Sequence, residues 1–162
     1  GLANEESLRW LLSCQMDLGN NPSDHDVEQY VRHTLAAGKV IPGYGHAVLR
    51  EIDPRYTLFS NLGDKYLPEF ELFKLVKQCL KVVPKVLQET GKVKNPWPNV
   101  DCVSGVMLYY YGLREFDFYT VMFGVSRAMG TLAMLTWARA YGLPIERPGS
   151  VTLEWIKDNI RK

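Results

Sequence analysis

The segment IPGYGHAVLR, residues 41–50, interrupts a chain whose apolar residues otherwise repeat at helical spacing. A proline followed by two glycines around a tyrosine predicts a loop whose backbone needs positive φ or close approach to another part of the chain. One imidazole and one guanidinium follow within the segment, and Asp53-Pro54-Arg55 adds a second guanidinium. Cationic and titratable groups at this density are suited to holding a small anion beside a proton donor.

The apolar pattern on both sides of this segment predicts the secondary structure. Helices are expected over 4–18, 24–37, 56–66, 69–89, 101–112, 117–141 and 151–160. Ser23 is placed to cap the second helix and Gly38 to end it, while Pro84 either kinks the fourth helix or begins a new one. Because no segment alternates as a strand does, the fold class is predicted to be all-α.

Length and composition narrow the class of protein. The chain has 162 residues, of which 46% are hydrophobic and 23% charged, as in an ordinary globular domain. With a net charge of +1 and no long basic run, neither nucleic acid nor membrane insertion is predicted. Cys14, Cys79 and Cys102 are far apart, which indicates free thiols in a reducing compartment rather than disulfides or a metal site. Because the chain begins at Gly1 without methionine, we expect a processed, truncated or partly represented polypeptide.

Five charged residues stand beside a glycine, a proline or an apolar stretch that would position them: His46, Arg55, Asp101, Arg127 and Arg147. For Asp101 the plain alternative is a carboxylate favoured by the dipole at a helix start. Arg127, within an apolar helix, must reach water, pair with a carboxylate or meet an anionic ligand. A carboxylate, an imidazole and three arginines are what an enzyme needs to remove a proton next to a carbonyl while holding a dicarboxylic acid.

Five ordered motifs resemble citrate synthase of the mitochondrial type. They are PGYGHAVLR at 42–50, DPRY at 53–56, KNPWPNVD at 94–101, FGVSRA at 123–128 and ERP at 146–148. Their order and spacing agree over the whole chain, and Tyr44 and Ala47 favour the mitochondrial branch. The resemblance implies a citrate-synthase-like helical fold, with residues 1–112 as the small, CoA-binding and catalytic domain and 113–162 as the C-terminal part of the large domain.

The resemblance also implies a reaction, the condensation of acetyl-CoA with oxaloacetate and water to give citrate and CoA. Asp101 would remove a methyl proton from acetyl-CoA, and His46 would hydrogen-bond and protonate the carbonyl oxygen of oxaloacetate. Oxaloacetate would be bound by His46, Arg55, Arg127 and Arg147, the last coming from the other subunit of a homodimer. The CoA site would comprise Val40, Ile41, Gly43, Tyr44, Gly45, Arg50, Lys92, Lys94 and Asn99.

The resemblance implies further parts outside the sequence. A second histidine, which stabilises the enol of acetyl-CoA in the family, would lie immediately before Gly1, together with the N-terminal portion of the large domain. Alone, the chain is therefore expected to be inactive, and also unstable because the apolar helix 117–141 would lose the helices it packs against. The expected partner is the N-terminal portion of a split or cleaved enzyme, or a larger assembly. Acetyl-CoA is expected as a co-substrate, with no permanently bound cofactor and no metal, in the mitochondrial matrix. Cys102-Val103, after Asp101, departs from the family's pattern.

Two alternative functions stay open at this point. A 2-methylcitrate synthase, acting on propionyl-CoA, would share every residue named, since one methylene is worth only about 1–3 kcal/mol of discrimination. A non-catalytic citrate-synthase-like structural subunit of a mitochondrial assembly would be expected to lose site residues, whereas all the matched residues are present.

Overall fold

The computed structural model describes residues 2–91, 93–144 and 151–160, without the side chain of Ile160. The helices are α1 Leu2–Leu18, α2 Asp24–Ala36, α3 Pro54–Tyr66, α4 Glu71–Glu89, α5 Asp101–Tyr110, α6 Asp117–Ala140 and α7 Leu153–Ile160. Within the described ranges there is no strand, and an isolated antiparallel bridge joins Tyr44 to Pro98. The predicted all-α fold is confirmed.

The helix ends follow local signals. The Ser23 hydroxyl accepts the N–H of Asp26 at 3.1 Å, and the Asp26 carboxylate accepts the N–H of Ser23 at 3.0 Å, so the predicted cap of α2 is confirmed. α3 begins at Pro54, two residues earlier than predicted, because Asp53 caps it and proline suits the first helical position. Pro84 lies inside α4, which is one helix, so the alternative of a new helix at Pro84 is wrong.

The first of two compact units covers residues 1–125 and contains the hydrophobic core. α4 provides its longest apolar face, with buried residues Leu72, Phe73, Leu75, Val76, Cys79, Val82, Val83, Pro84, Val86 and Leu87. It packs on α1, α2 and α5, and α5 also packs on α1 and α3. The first turns of α3 and α5 are therefore fixed by the core, and so are the loops that lead into them.

α6 contrasts with the core helices, because Tyr119 is the one residue that it buries. Three successive positions, Val121, Met122 and Phe123, are each more than 40% exposed, so the apolar surface is not confined to one face. By length and composition α6 could cross a membrane, at a mean hydropathy of 1.2, but helices from the core of a soluble protein pass the same test. The expectation of no membrane insertion stays a prediction.

The second compact unit covers residues 126–162 and includes the C-terminal part of α6 and helix α7. The sequence-based boundary after residue 112 is a different division, drawn from the domains of the family, and it stays a prediction.

Candidate active site

The backbone of the 41–50 segment packs directly against neighbouring helices. Gly43 has φ +80° and Gly45 has φ +85°, in the left-handed region that favours glycine. A Cβ at Gly43 would lie 2.7 Å from the Ser7 Oγ and 2.8 Å from the Cα of Cys102. The predicted need for positive φ and close approach is therefore confirmed at this loop.

This loop is joined by backbone hydrogen bonds to the loop that precedes α5. The N–H of Gly45 donates to the carbonyl of Trp97 at 3.0 Å, and the N–H of Asn99 donates to the carbonyl of Gly43 at 2.9 Å. We call residues 41–50 and 94–100 the paired loops. Because these hydrogen bonds join the two loops, the side chains on one loop keep a fixed position relative to those on the other.

Two asparagine side chains add to the pairing. The buried Asn95 donates from Nδ2 to the carbonyl of Leu49 at 2.8 Å. Asn99 donates from Nδ2 to the carbonyl of Gly45 at 2.9 Å, and its Oδ1 accepts the N–H of Asp101 at 3.0 Å. The paired loops therefore lead directly into the first turn of α5.

His46 is exposed, and a tight turn orients its ring. The Nδ1 atom accepts the N–H of Val48 at 3.0 Å and the N–H of Leu49 at 2.9 Å. Because these N–H groups need a lone pair on Nδ1, the neutral imidazole carries its proton on Nε2. The Nη1 atom of Arg50 donates to the carbonyls of Ala47 and Leu49 and closes the same turn. His46 thus presents Nε2–H as a hydrogen-bond donor.

Asp101 is the first residue of α5 and is partly buried. Burial raises the pKa of its carboxyl group, while nearby positive groups, Arg55 and His46 among them, oppose that rise. Arg55 and His46 therefore each lie within electrostatic reach of Asp101. A carboxylate with a raised pKa is a stronger base than an ordinary aspartate, as proton removal requires.

Arg55 is oriented by Asp53, which is 1% exposed. The Asp53 carboxylate accepts Nε of Arg55 at 3.1 Å, Nη2 of Arg55 at 2.8 Å, the backbone N–H of Arg55 at 2.9 Å and that of Val100 at 3.1 Å. Hydrogen bonding to the Arg55 side chain is the main cause that lowers the pKa of Asp53, against the effect of burial. The Arg55 side chain is 62% exposed, so its outer edge is open to an anion.

Asp53 was missed by the sequence analysis as a site residue. Its signal was present, because an Asp-Pro pair before a helix is typical of an N-cap followed by the first helical residue. The contact with Val100 had no signal in the sequence, since the two residues are 47 positions apart.

The structure places three of the five predicted catalytic and oxaloacetate-binding residues around the paired loops, namely His46, Arg55 and Asp101. Arg127 is exposed on α6 in the second unit, and its role stays a prediction. Arg147 lies outside the described residues, as does Lys92 of the predicted CoA site.

The other predicted CoA residues differ in burial. Val40, Arg50 and Lys94 are exposed, and Gly45 and Asn99 are half-buried. Ile41, Gly43 and the hydroxyl of Tyr44 are buried, so the nearby loop could meet a ligand mainly through its backbone. The CoA assignment stays a prediction.

In the part of the chain that the structure describes, the cysteine side chains are neither reactive nor grouped with possible metal ligands. Cys14, Cys79 and Cys102 are buried free thiols, as predicted. Burial raises the pKa of Cys14 and of Cys102 to about 12, which keeps both thiols protonated. Among the described residues, no three His, Cys, Asp or Glu side chains are grouped to hold a metal ion.

Comparison with known proteins identifies the family. The sequence model described as citrate synthase, C-terminal domain, matches residues 1–149. The chain is 57% identical, over all 162 residues, to the probable mitochondrial citrate synthase of Glossina morsitans morsitans. It is 56% identical, over 154 residues or 95% of the chain, to the mitochondrial citrate synthase of Xiphias gladius. The chain spans 35% and 33% of the length of these two relatives.

A solved structure agrees with the fold. It is the ternary complex of citrate synthase from the thermophilic archaeon Thermoplasma acidophilum with carboxymethyl coenzyme A and oxaloacetate. The match has a TM-score of 0.66 at 22% identity and covers 93% of this chain and 38% of that one. The fold agrees with that structure, and the family model over residues 1–149 shows that the chain belongs to the citrate synthase family.

Proposed function

We propose that this chain is the C-terminal portion of a citrate synthase and that, joined to the N-terminal portion, it condenses acetyl-CoA with oxaloacetate and water to give citrate and CoA. The proposal rests on one observation, the placement of three side chains around the paired loops: His46 lies on one loop, Asp101 directly follows the other, and Arg55 is held by Asp53, which also accepts the N–H of Val100. These side chains are a base, a proton donor and a carboxylate-binding group.

The first step is removal of a proton from the methyl group of acetyl-CoA by the Asp101 carboxylate. The raised pKa of Asp101 supports this role, because the difference in basicity between the carboxylate and the thioester carbanion is reduced. A carboxylate cannot complete the step unaided, so the enolate oxygen needs a donor. The resemblance assigns that donor to the histidine expected immediately before Gly1.

The second step is carbon–carbon bond formation. The carbon of the enolate attacks the ketone carbon of oxaloacetate, and the ketone π electrons move onto the oxygen as the carbon–carbon bond forms. The ketone oxygen takes the proton from Nε2 of His46, which regains a proton from water before the next turnover. The hydrogen bonds to Nδ1 support this assignment, since they direct the ring proton to Nε2. Water then hydrolyses the citryl thioester, which releases citrate and the thiol of CoA.

Oxaloacetate carries two carboxylates, so the site needs more than one cation. The outer edge of Arg55 is proposed to bind one of them, with Asp53 fixing the guanidinium plane. Arg127 and Arg147 are proposed as further carboxylate ligands on the strength of the resemblance, Arg147 from the second subunit of a homodimer.

The N-terminal portion is proposed as the partner that covers α6. Large apolar side chains such as Met129, Leu132 and Trp137 are about 60% exposed, which is unusual for a helix in a complete protein. The chain also spans only about a third of the relatives named above. The names of those relatives support a mitochondrial location, and the free thiols are consistent with its reducing matrix.

The test is to produce this chain joined to the N-terminal portion, here called the completed enzyme, and to measure citrate and free thiol from acetyl-CoA and oxaloacetate. We expect turnover from the completed enzyme and none from the chain alone. Absence of turnover in the completed enzyme would contradict the proposal. If oxaloacetate also failed to bind, the result would favour the structural subunit.

The same preparation distinguishes the two acyl substrates. We expect acetyl-CoA to be turned over faster than propionyl-CoA at equal concentrations. The reverse preference would identify a 2-methylcitrate synthase while leaving the roles of Asp101 and His46 unchanged.

A further inference from the structure

We infer that Asn99 acts mainly as a positioning residue that holds Asp101 and the turn containing His46 in register, rather than as a contact for CoA. The inference rests on the proposed function, in which Asp101 and His46 carry out the chemistry. It changes the role that the resemblance implied for Asn99.

Each end of the Asn99 amide makes one hydrogen bond within the protein, which uses two of its four hydrogen-bonding positions. Nδ2 donates to the carbonyl of Gly45, the residue before His46, at 2.9 Å. Oδ1 accepts the N–H of Asp101 at 3.0 Å. Because a carbonyl needs a donor and an N–H needs an acceptor, only one orientation of the amide satisfies both partners.

The bond to Asp101 has a structural reason. The first N–H groups of a helix have no acceptor within the helix, and Val100, the N-cap of α5, supplies no side-chain acceptor. The Oδ1 atom of Asn99, which lies outside the helix, is the acceptor for the N–H of Asp101. The start of α5, and with it the base, is therefore fixed by a side chain whose other end holds the backbone next to His46.

A second asparagine shows what is particular to Asn99. Asn95 makes the same pair of bonds, from Nδ2 to the carbonyl of Leu49 and from the N–H of Trp97 to its Oδ1, at 2.8 and 2.9 Å. Its bonds reach the His46 turn but do not reach Asp101. The bonds of Asn99 instead run from the backbone of Asp101 to the backbone carbonyl next to His46.

The expected consequence is a loss of turnover without a loss of CoA affinity. A displacement of about 1 Å between reacting groups can lower a rate by about 100-fold. A residue that contacted CoA equally in the ground and transition states would raise KM and leave kcat unchanged. The split between kcat and KM therefore separates the two roles.

The experiment compares Asn99→Ser and Asn99→Ala in the completed enzyme with a control, Gln78→Ala. Serine keeps an oxygen near the N–H of Asp101 but cannot reach Gly45. Gln78, on α4, also donates its amide to a backbone carbonyl, that of Pro22, at 2.8 Å. We expect kcat to fall about tenfold for Asn99→Ser and about 100-fold for Asn99→Ala, with KM for acetyl-CoA within about twofold and the control unchanged.

Two kinetic results would overturn the inference. One is a rise of about tenfold in KM for acetyl-CoA with kcat retained, which would make Asn99 a CoA contact. The other is unchanged kcat and KM in both variants. If Asn99→Ala does not fold, Asn99→Ser alone decides between these outcomes.

Amide exchange separates this inference from the proposed function. If the wild-type completed enzyme makes no citrate, the proposed function fails. Exchange of the Asp101 N–H with deuterium still reports the hydrogen bond from that N–H to Oδ1 of Asn99. We expect exchange about tenfold faster in Asn99→Ala than in wild type, as for the loss of a local hydrogen bond, and no change in Gln78→Ala. Unchanged exchange in Asn99→Ala would overturn the inference.

Discussion

The first turns of α3 and α5 each present an aspartate beside the paired loops, Asp53 as the N-cap of α3 and Asp101 as the first residue of α5. Asp53 is 1% exposed and accepts four N–H groups from Arg55 and Val100, which lower its pKa. Asp101 is partly buried, and burial raises its pKa.

The difference shows that burial alone does not decide the state of a carboxyl group. Hydrogen bonds to the charged form keep Asp53 ionised and immobile, although it is the more buried of the two. Asp101 loses water without gaining comparable donors, so its carboxylate is held at higher free energy and can accept a proton. The aspartate at the start of α3 therefore stabilises the fold, whereas the aspartate at the start of α5 is suited to accept a proton.

The largest expected effect is the loss of turnover when Asp101 is replaced. In the completed enzyme, Asp101→Asn should lower kcat for citrate formation by about 10²–10⁴-fold, the usual contribution of a general base. Asp24→Asn, at the equivalent position of α2, is the matched control and should leave kcat unchanged. Retained turnover in Asp101→Asn would mean that the base lies elsewhere and that the contrast with Asp53 has no catalytic meaning.

The next effect is on stability at α3. Asp53→Ala should lower the free energy of unfolding by about 1.5–5 kcal/mol, because it removes an N-cap worth about 0.5–2 kcal/mol and leaves the partly buried N–H of Val100 without its acceptor at about 1–3 kcal/mol. Ser23→Ala removes the cap of α2 alone and should cost about 1 kcal/mol. Thermal unfolding of both variants in the completed enzyme checks the order, and an equal loss would reduce Asp53 to an ordinary cap.

A smaller effect concerns acid. The pKa of Asp53 is lowered in the folded state, so its contribution is present above the unfolded pKa of about 3.9 and is lost as pH falls through the folded pKa. The difference in thermal midpoint between wild type and Asp53→Asn should therefore shrink below about pH 4. Midpoints measured from pH 7 down to pH 3 test this, and a pH-independent difference would contradict it.

The smallest effect has the opposite sign. Because the folded-state pKa of Asp101 is raised, its ionised carboxylate opposes folding at neutral pH, and this penalty disappears once pH falls below the unfolded pKa. Asp101→Asn should raise the thermal midpoint slightly at pH 7 and lose that advantage on acidification. A lower midpoint at pH 7 would show that Asp101 also stabilises the first turn of α5.

Local features of the fold could be predicted from the sequence because they depend on neighbours along the chain. The cap at Ser23, the end of α2 near Gly38 and the positive φ of Gly43 and Gly45 are set by side-chain reach and backbone sterics within a few residues. The ordered motifs also indicated His46, Arg55 and Asp101 as candidates. The apolar pattern of α6 indicated a helix for the same local reason.

Tertiary structure alone decided which of these groups meet and what surrounds them. Asn99 and Gly45, which are hydrogen-bonded, are 54 positions apart in the sequence, and Asp53 and Val100 are 47 apart. At such separations the spacing of residues along the chain does not predict a contact. The opposite pKa shifts of Asp53 and Asp101 follow from their surroundings, hydrogen bonds for Asp53 and burial for Asp101, since residue type is the same. Packing also decided that the apolar face of α4 is buried and that most of α6 is not. The hydrophobic pattern shows which side chains of a helix are apolar, but it does not show which other element packs against them.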